Sequence, residues 1–129
     1  MTTLTSSQRE HLAGMLRERK PVLREEIRAG LLRMRVDGYE DLLSGTSDAA
    51  DESVASLLTD INNADVARDA TELQDILAAE GRLAAGTFAV CIDCAKPVPY
   101  ARLVAHPTAK RCLQCQQIHE ANRPHASRS

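Results

Sequence analysis

Apolar residues along the first third of the chain fall at the helical period. Leu12, Met15, Leu16, Leu23, Ile27, Leu31 and Met34 are separated mostly by three, four or seven residues, so they line one face of a helix. Ser6 or Ser7 is placed to cap its start, with Glu10 three residues after Ser7 completing a capping box. Pro21 removes one backbone N–H and crowds the turn before it, which predicts a kink or restart near residues 18–21. Gly30 weakens the helix by about 1 kcal/mol relative to Ala. The pattern then carries to about Leu43.

The run Ser44-Gly-Thr-Ser-Asp-Ala-Ala-Asp breaks it, with Gly45 suited to end one helix and Asp48 to start the next. Helical spacing resumes through Val54, Leu57, Leu58, Ile61, Ala64, Leu73, Ile76, Leu77, Leu83 and Ala84, and ends near Gly86. Between Asn62 and Thr71 the apolar positions are small: Ala64, Val66, Ala67 and Ala70. Such residues allow two helices to approach closely or leave that section loosely packed. Two long helices joined by a short loop predict an antiparallel hairpin. At 1.5 Å per residue the second helix would be roughly 50 Å long, so the hairpin is expected to project as an arm.

Beyond Gly86 the helical pattern stops. Pro97, Pro99 and Pro107 exclude a long helix, and short strands or turns are expected at 90–92 and 103–105. Residues 113–122 read as a short last helix, stopped by Pro124. The expected fold is mainly α: a long antiparallel helical hairpin, or coiled-coil arm, with a small four-cysteine module and a short C-terminal helix. The expected divisions are an N-terminal helix over 1–20, the arm over 21–85 with its tip loop at 44–51, the cysteine module and last helix over 86–123, and a flexible tail over 124–129.

The chemistry is concentrated in four cysteines, the only ones in the chain: Cys91-Ile-Asp-Cys94 and Cys112-Leu-Gln-Cys115. Each C-x-x-C turn aims two sulfurs at one point, and the intervening loop is long enough to return with the second pair. This is the spacing of a tetrahedral four-thiolate Zn²⁺ site. Four thiolates leave no position for a water, so the metal is structural, one per chain. Disulfides are disfavoured, since the start Met1-Thr-Thr-Leu-Thr-Ser-Ser has no basic or apolar leader character. With no apolar run long enough to span a bilayer, a cytoplasmic location is expected.

Charge sharpens the picture. The net charge is −2 over 129 residues, but residues 40–75 carry ten acidic side chains and one basic, Arg68. Both flanks are basic. An acidic middle suits a basic partner surface and is a poor ligand for nucleic acid. No nucleophile stands beside a base and no phosphate loop is present, which argues against an enzyme. Aromatics are scarce: Tyr39, Phe88 and Tyr100. Asp48 and Asp51 lie three apart across the first turn of the second helix, so both carboxylates are expected to point off one end of the arm.

Together these pieces resemble the DksA/TraR family of bacterial RNA-polymerase-binding regulators. The resemblance rests on the zinc module with Pro107-Thr108-Ala109 before Cys112, on the lead-in Gly86-Thr87-Phe88-Ala89-Val90-Cys91, and on Asp48-Ala-Ala-Asp51, similar to the family's D-x-x-D-x-A tip. It departs at Ala89, at Ser53 in place of the tip Ala, and at Ala95, where Gly is common after the second Cys. The resemblance implies Cys91, Cys94, Cys112 and Cys115 as zinc ligands and Asp48 and Asp51 as partner-binding tip carboxylates. It implies an arm that enters the secondary channel of core RNA polymerase, alters open-complex stability and reads no DNA sequence. Members that respond to ppGpp, in the stringent response, use basic side chains at places that here hold Asp75, His106 and Gln116. A weak or absent ppGpp response is therefore expected. Two other functions stay open at this point: a zinc-ribbon nucleic-acid-binding module, with Lys96, Arg102, Lys110 and Arg111 as its charge, and an acidic coiled-coil adaptor.

Overall fold

The computed structural model describes residues 4–35 and 48–122. Among the described residues five helices follow in order: α1 Ser6–Arg33, α2 Asp48–Leu58, α3 Ala64–Ala85, α4 Tyr100–Ala105 and α5 Leu113–Ala121. No strand forms among the described residues; a single antiparallel bridge joins Val90 and Pro97. The mainly helical architecture read from the sequence is borne out, with two differences in how the helices are divided.

Helix α1 starts one step earlier than the serines suggest. Thr5 is the N-cap: its hydroxyl accepts from Gln8 N–H at 3.0 Å, while the Gln8 side chain accepts from Thr5 N–H at 3.0 Å. A Thr-x-x-Gln capping box satisfies two otherwise orphan donors, and it outcompetes the expected Ser7–Glu10 box. The helix then runs unbroken through Pro21 for 28 residues, about 42 Å. Pro21 sits on the exposed face, where water can take the carbonyl it leaves without a donor. A restart near 18–21 is not observed, and residues 6–20 belong to the same helix as residues 21–33. The expected run of α1 to Leu43 is not observed: the helix ends at Arg33, Met34 caps it and Arg35 turns left-handed at φ +58°. Residues 36–47, which include 44–47 of the expected tip loop, and the tail at 124–129 lie outside the described residues.

The larger difference is in the second helix. It is not continuous from 51 to 85 but breaks at residues 59–63. Asn63 adopts an extended backbone and caps α3, accepting from Val66 N–H at 3.0 Å. Asn and Asp side chains compete for backbone donors, and the Asp60, Asn62 and Asn63 cluster gives the chain a turn as an alternative to helix. Helix α2 therefore folds back along α3, with Ser56 bonded to Gln74 and Ser53 sharing a groove with Leu77. Helix α1 also runs antiparallel to α3: Lys20 pairs with Glu80 near one end, and Gly30 meets Val66 near the other. So α3 is flanked by α1 and α2 and sits at the centre of the helical part. At its far end Gly86, at φ +81°, closes α3 as a left-handed cap, where the sequence placed it.

The core follows the apolar stripes. Leu12, Leu16, Leu23, Ile27 and Leu31 from α1 are buried against Val66, Ala70, Leu73, Ile76 and Ala79 from α3, with Val54, Ala55 and Leu58 from α2. Helices α1 and α3 do come close in the section of small residues, where Gly30 of α1 faces Val66 of α3. A Cβ placed on Gly30 would lie 2.6 Å from Val66 Cγ2. Gly30→Ala should therefore lower stability, because overpacking at about 1–3 kcal/mol outweighs the helix-propensity gain of about 1 kcal/mol. Thermal melts of Gly30→Ala, Val66→Ala and the double variant check this. The double variant should be more stable than the two single losses added together.

Candidate metal centre

Residues 86–122 form a module at the end of α3 built from two C-x-x-C knuckles. The first is a turn in which Ala95 N–H donates to Cys91 carbonyl at 3.0 Å and Cys91 N–H donates to Lys96 carbonyl at 2.9 Å. Val98 N–H, bonded to Ala89 carbonyl at 2.7 Å, closes it. The second knuckle is the start of α5. Cys112 is its N-cap, and its sulfur accepts from Cys115 N–H at 3.4 Å. A helix start suits a ligand pair, because orphan N–H groups there point toward negative sulfur.

Two contacts hold the knuckles face to face. Arg111, next to Cys112, donates from Nε to Asp93 Oδ2 at 2.7 Å, and Asp93 is next to Cys94. Arg102 of α4 donates from Nε to the Arg111 carbonyl at 3.0 Å. Ile92 N–H adds a bond to Lys110 carbonyl at 3.0 Å. The sequence reading counted Arg102 and Arg111 as the charge of a possible nucleic-acid-binding module; in the structure they brace the metal site. The adjacency of Asp93 and Arg111 to ligand cysteines was the available signal. Helix α4 was also missed. Pro99, extended as the residue before it, starts a six-residue helix where turns or a strand were expected at 103–105.

All four predicted ligands come together. The sulfurs of Cys91, Cys94, Cys112 and Cys115 lie within 4.8 Å of one another. Those of Cys94 and Cys112 are 3.8 Å apart, which is about the edge of a tetrahedron with Zn–S bonds of about 2.3 Å. The donor set fits Zn²⁺, and the site is a structural zinc centre holding one ion. Cys91 is buried, Cys94 exposed, and the other two half-buried. Burial pushes the Cys91 thiol up, but backbone N–H groups of Cys112, Cys94 and Asp93, with the Cys94 thiol, bring it down to about 6. Cys115 moves the other way, raised first by its hydrogen bond to Cys112 and then by that to Cys94. The cluster thus favours a thiolate at its buried corner.

The knuckle also carries strain. Ala95 stands at φ +64°, the left-handed region that glycine occupies freely. A side chain there costs about 1–2 kcal/mol. Ala95→Gly should stabilise the module by about 1 kcal/mol despite the added freedom of the unfolded chain. Slower zinc transfer to a chelator is the readout, and an unchanged or faster rate counts against the strain.

The second pair of candidate residues fares differently. Asp48 is the first residue of α2, and its side chain lies outside the described residues. Asp51, expected at an exposed tip, is buried, and its side chain is 0% exposed. Arg24 Nε donates to Asp51 Oδ1 at 2.9 Å and Oδ2 at 3.0 Å, and its Nη2 donates to Oδ2 as well. Two more acidic side chains of the segment are paired within the chain, both at the surface. Arg19 holds Glu72 at 2.7 Å, and Asp65 pairs with Arg68 at 3.2 Å. Lys20, Arg24 and Arg28 recur every four residues on α1, a basic row that the block-wise charge count passed over. Glu52 and Asp60 stay exposed.

Comparison with known proteins agrees with this geometry. Residues 86–121 match the family model of the prokaryotic dksA/traR C4-type zinc finger. An uncharacterized 8.2 kDa protein in the gpA 5′ region of Escherichia phage P2 is 45% identical over 40 residues, 31% of this chain and 54% of the phage protein. The matched stretch therefore spans about half the length of that relative. Among solved structures, the transcription factor DksA2 from Pseudomonas aeruginosa superposes with a TM-score of 0.63 at 22% identity, covering 90% of this chain and 85% of that one. At that identity the likeness is one of fold. The resemblance to the DksA/TraR family is thus borne out at two levels, zinc finger and fold.

Proposed function

We propose that this chain, whose residues 86–121 are a DksA/TraR C4-type zinc finger, is a non-enzymatic transcription regulator that binds core RNA polymerase. The observation that carries this reading is the pairing of that finger with antiparallel helices in the fold of the transcription factor DksA2. The helical part enters the secondary channel, with its acidic segment directed to the active centre, and alters open-complex stability. The site of action is cytoplasmic; among the described residues no helix is long and apolar enough to cross a membrane. A response to ppGpp is weak or absent. Asp75 stands where a cation would be needed; burial pushes its carboxyl up, against the charges of Lys110 and Arg82.

Sequence-specific DNA binding is not part of the proposal. The cations of the finger are partly occupied, since Arg111 pairs with Asp93 and Arg102 holds a carbonyl. Co-purification with core polymerase, followed by in vitro transcription with and without ppGpp, tests the reading. The expected result is a stable complex and a changed open-complex lifetime that ppGpp alters little. A chain that neither binds polymerase nor changes open-complex lifetime overturns it. A salt-sensitive shift of DNA without polymerase would favour the zinc-ribbon alternative instead.

A further inference from the structure

The helical period and the observed backbone diverge at one place. Apolar spacing continues from Val54 through Leu58 and Ile61 to Leu73, and residues 46–80 contain neither Gly nor Pro. Nothing in the residue types forbids one continuous helix. The structure turns the chain at 59–63 all the same. Among the described residues of the turn none has a positive φ, so the bend is not locked by backbone strain. The turn itself is favoured locally by the Asn63 cap on Val66 N–H, and what secures α2 along α3 is tertiary: the burial of Val54, Ala55 and Leu58, the Ser56–Gln74 hydrogen bond, and the Arg24–Asp51 pair.

We infer that α2 is a hinged segment, latched onto the helical core by Arg24 and Asp51, which unfolds outward into a continuous extension of α3 when a basic partner replaces Arg24. Straightening residues 59–63 would carry Asp51 about 20 Å beyond Ala64 at 1.5 Å per residue. In the latched state the carboxylate is fully covered and meets Arg24 of its own chain. In the open state it stands near the end of a long arm. A partner shifts such an equilibrium only through its preference for one state. A basic surface has that preference, because it contacts in the open state a charge that is hidden in the closed one. The hinge stands on the contacts just named. Its consequence, control of the arm during polymerase binding, rests on the function proposed above.

The test measures one distance. Labels attached at Ser53 and Gln74 by non-cysteine chemistry, which spares the zinc thiolates, line the same groove when α2 is folded back. In a continuous helix they stand about 32 Å apart. Pulsed electron resonance on the full chain should show the short distance alone in the parent. Arg24→Met and Asp51→Asn, each with parental zinc content and near-parental helicity, should add a population near the long distance. Addition of core RNA polymerase should move the parent to the long distance. The inference is overturned if both variants keep the short distance alone, or if the polymerase-bound parent keeps it. Variants that open in a chain that fails to co-purify with polymerase would support the hinge and remove the polymerase reading.

Discussion

Cys112→Ser should release the metal and unfold residues 86–122 while leaving α1 and α3 largely helical. The module has little else to hold it. Its buried apolar side chains are Phe88, Val98 and Leu103. Each contributes about 1.5–3 kcal/mol when fully buried. Structural Zn²⁺ in small fingers contributes on the order of 10–16 kcal/mol, so the metal outweighs all of the module's apolar burial. Cys112 is also the cap of α5, and serine keeps a side-chain acceptor for Cys115 N–H, so the variant reports the lost metal ligand and not a lost cap. Amide exchange should then become fast at Ile92, Ala95 and Val98, whose backbone bonds build the first knuckle. Protection should persist at Leu23, Ile27, Leu73 and Ile76, which are buried between α1 and α3. Chelation of the parent should reproduce the pattern, and zinc affinity should fall as pH falls, because thiolates bind the metal. Metal analysis showing no zinc in freshly purified, reduced protein would refute the assignment, as would protection in the knuckle that survives Cys112→Ser.

The zinc centre was legible because its information is local. Two ligands three apart make a turn whatever surrounds it, and four such cysteines with none left over leave few other uses. The end of α3 at Gly86 was legible for the same reason. Ala95 stood out only through the family resemblance, in which Gly is common after the second cysteine, and its φ of +64° gives the physical reason. The stripes of α1 and α3 were also readable, because burial on one face imposes a period of 3.6. The fold-back of α2 was not. A helix that continues and a helix that returns after a five-residue turn share one periodicity, and only the Asn62-Asn63 pair marks the difference. The Arg24–Asp51 contact joins residues 27 apart in sequence, and nothing local pairs them. Block counts of charge recorded a basic first third and an acidic middle, and read the imbalance as a need for an external partner. The structure satisfies part of it internally, through Arg19–Glu72 and Arg24–Asp51.

Asp51→Asn should therefore lower the melting temperature by several degrees, an effect that an exposed tip carboxylate would not produce. Removing one member of a buried ion pair costs about 3–5 kcal/mol, because the remaining charge is stranded away from water. Here the guanidinium keeps some solvent, with the Arg24 side chain 20% exposed against 0% for Asp51. A loss of about 1–3 kcal/mol is the corresponding expectation. Asn can still accept one hydrogen bond, but it offers Arg24 no charge. The neighbouring Glu52 is exposed, and Glu52→Gln should change stability by no more than about 0.5 kcal/mol. The double replacement Arg24→Met with Asp51→Leu separates charge from packing. A buried pair exchanged for apolar side chains of similar volume is often neutral or stabilising, so this variant should recover most of the loss. Denaturant melts of the four chains supply the measurement, with zinc content as a control for the distant module. If Asp51→Asn melts with the parent and with Glu52→Gln, Asp51 is not buried against Arg24 in solution, and α2 lies elsewhere than along α3. If Asp51→Asn is destabilised and the apolar pair restores it, the carboxylate is a structural charge in the free protein. Any partner that uses it must first draw it away from Arg24.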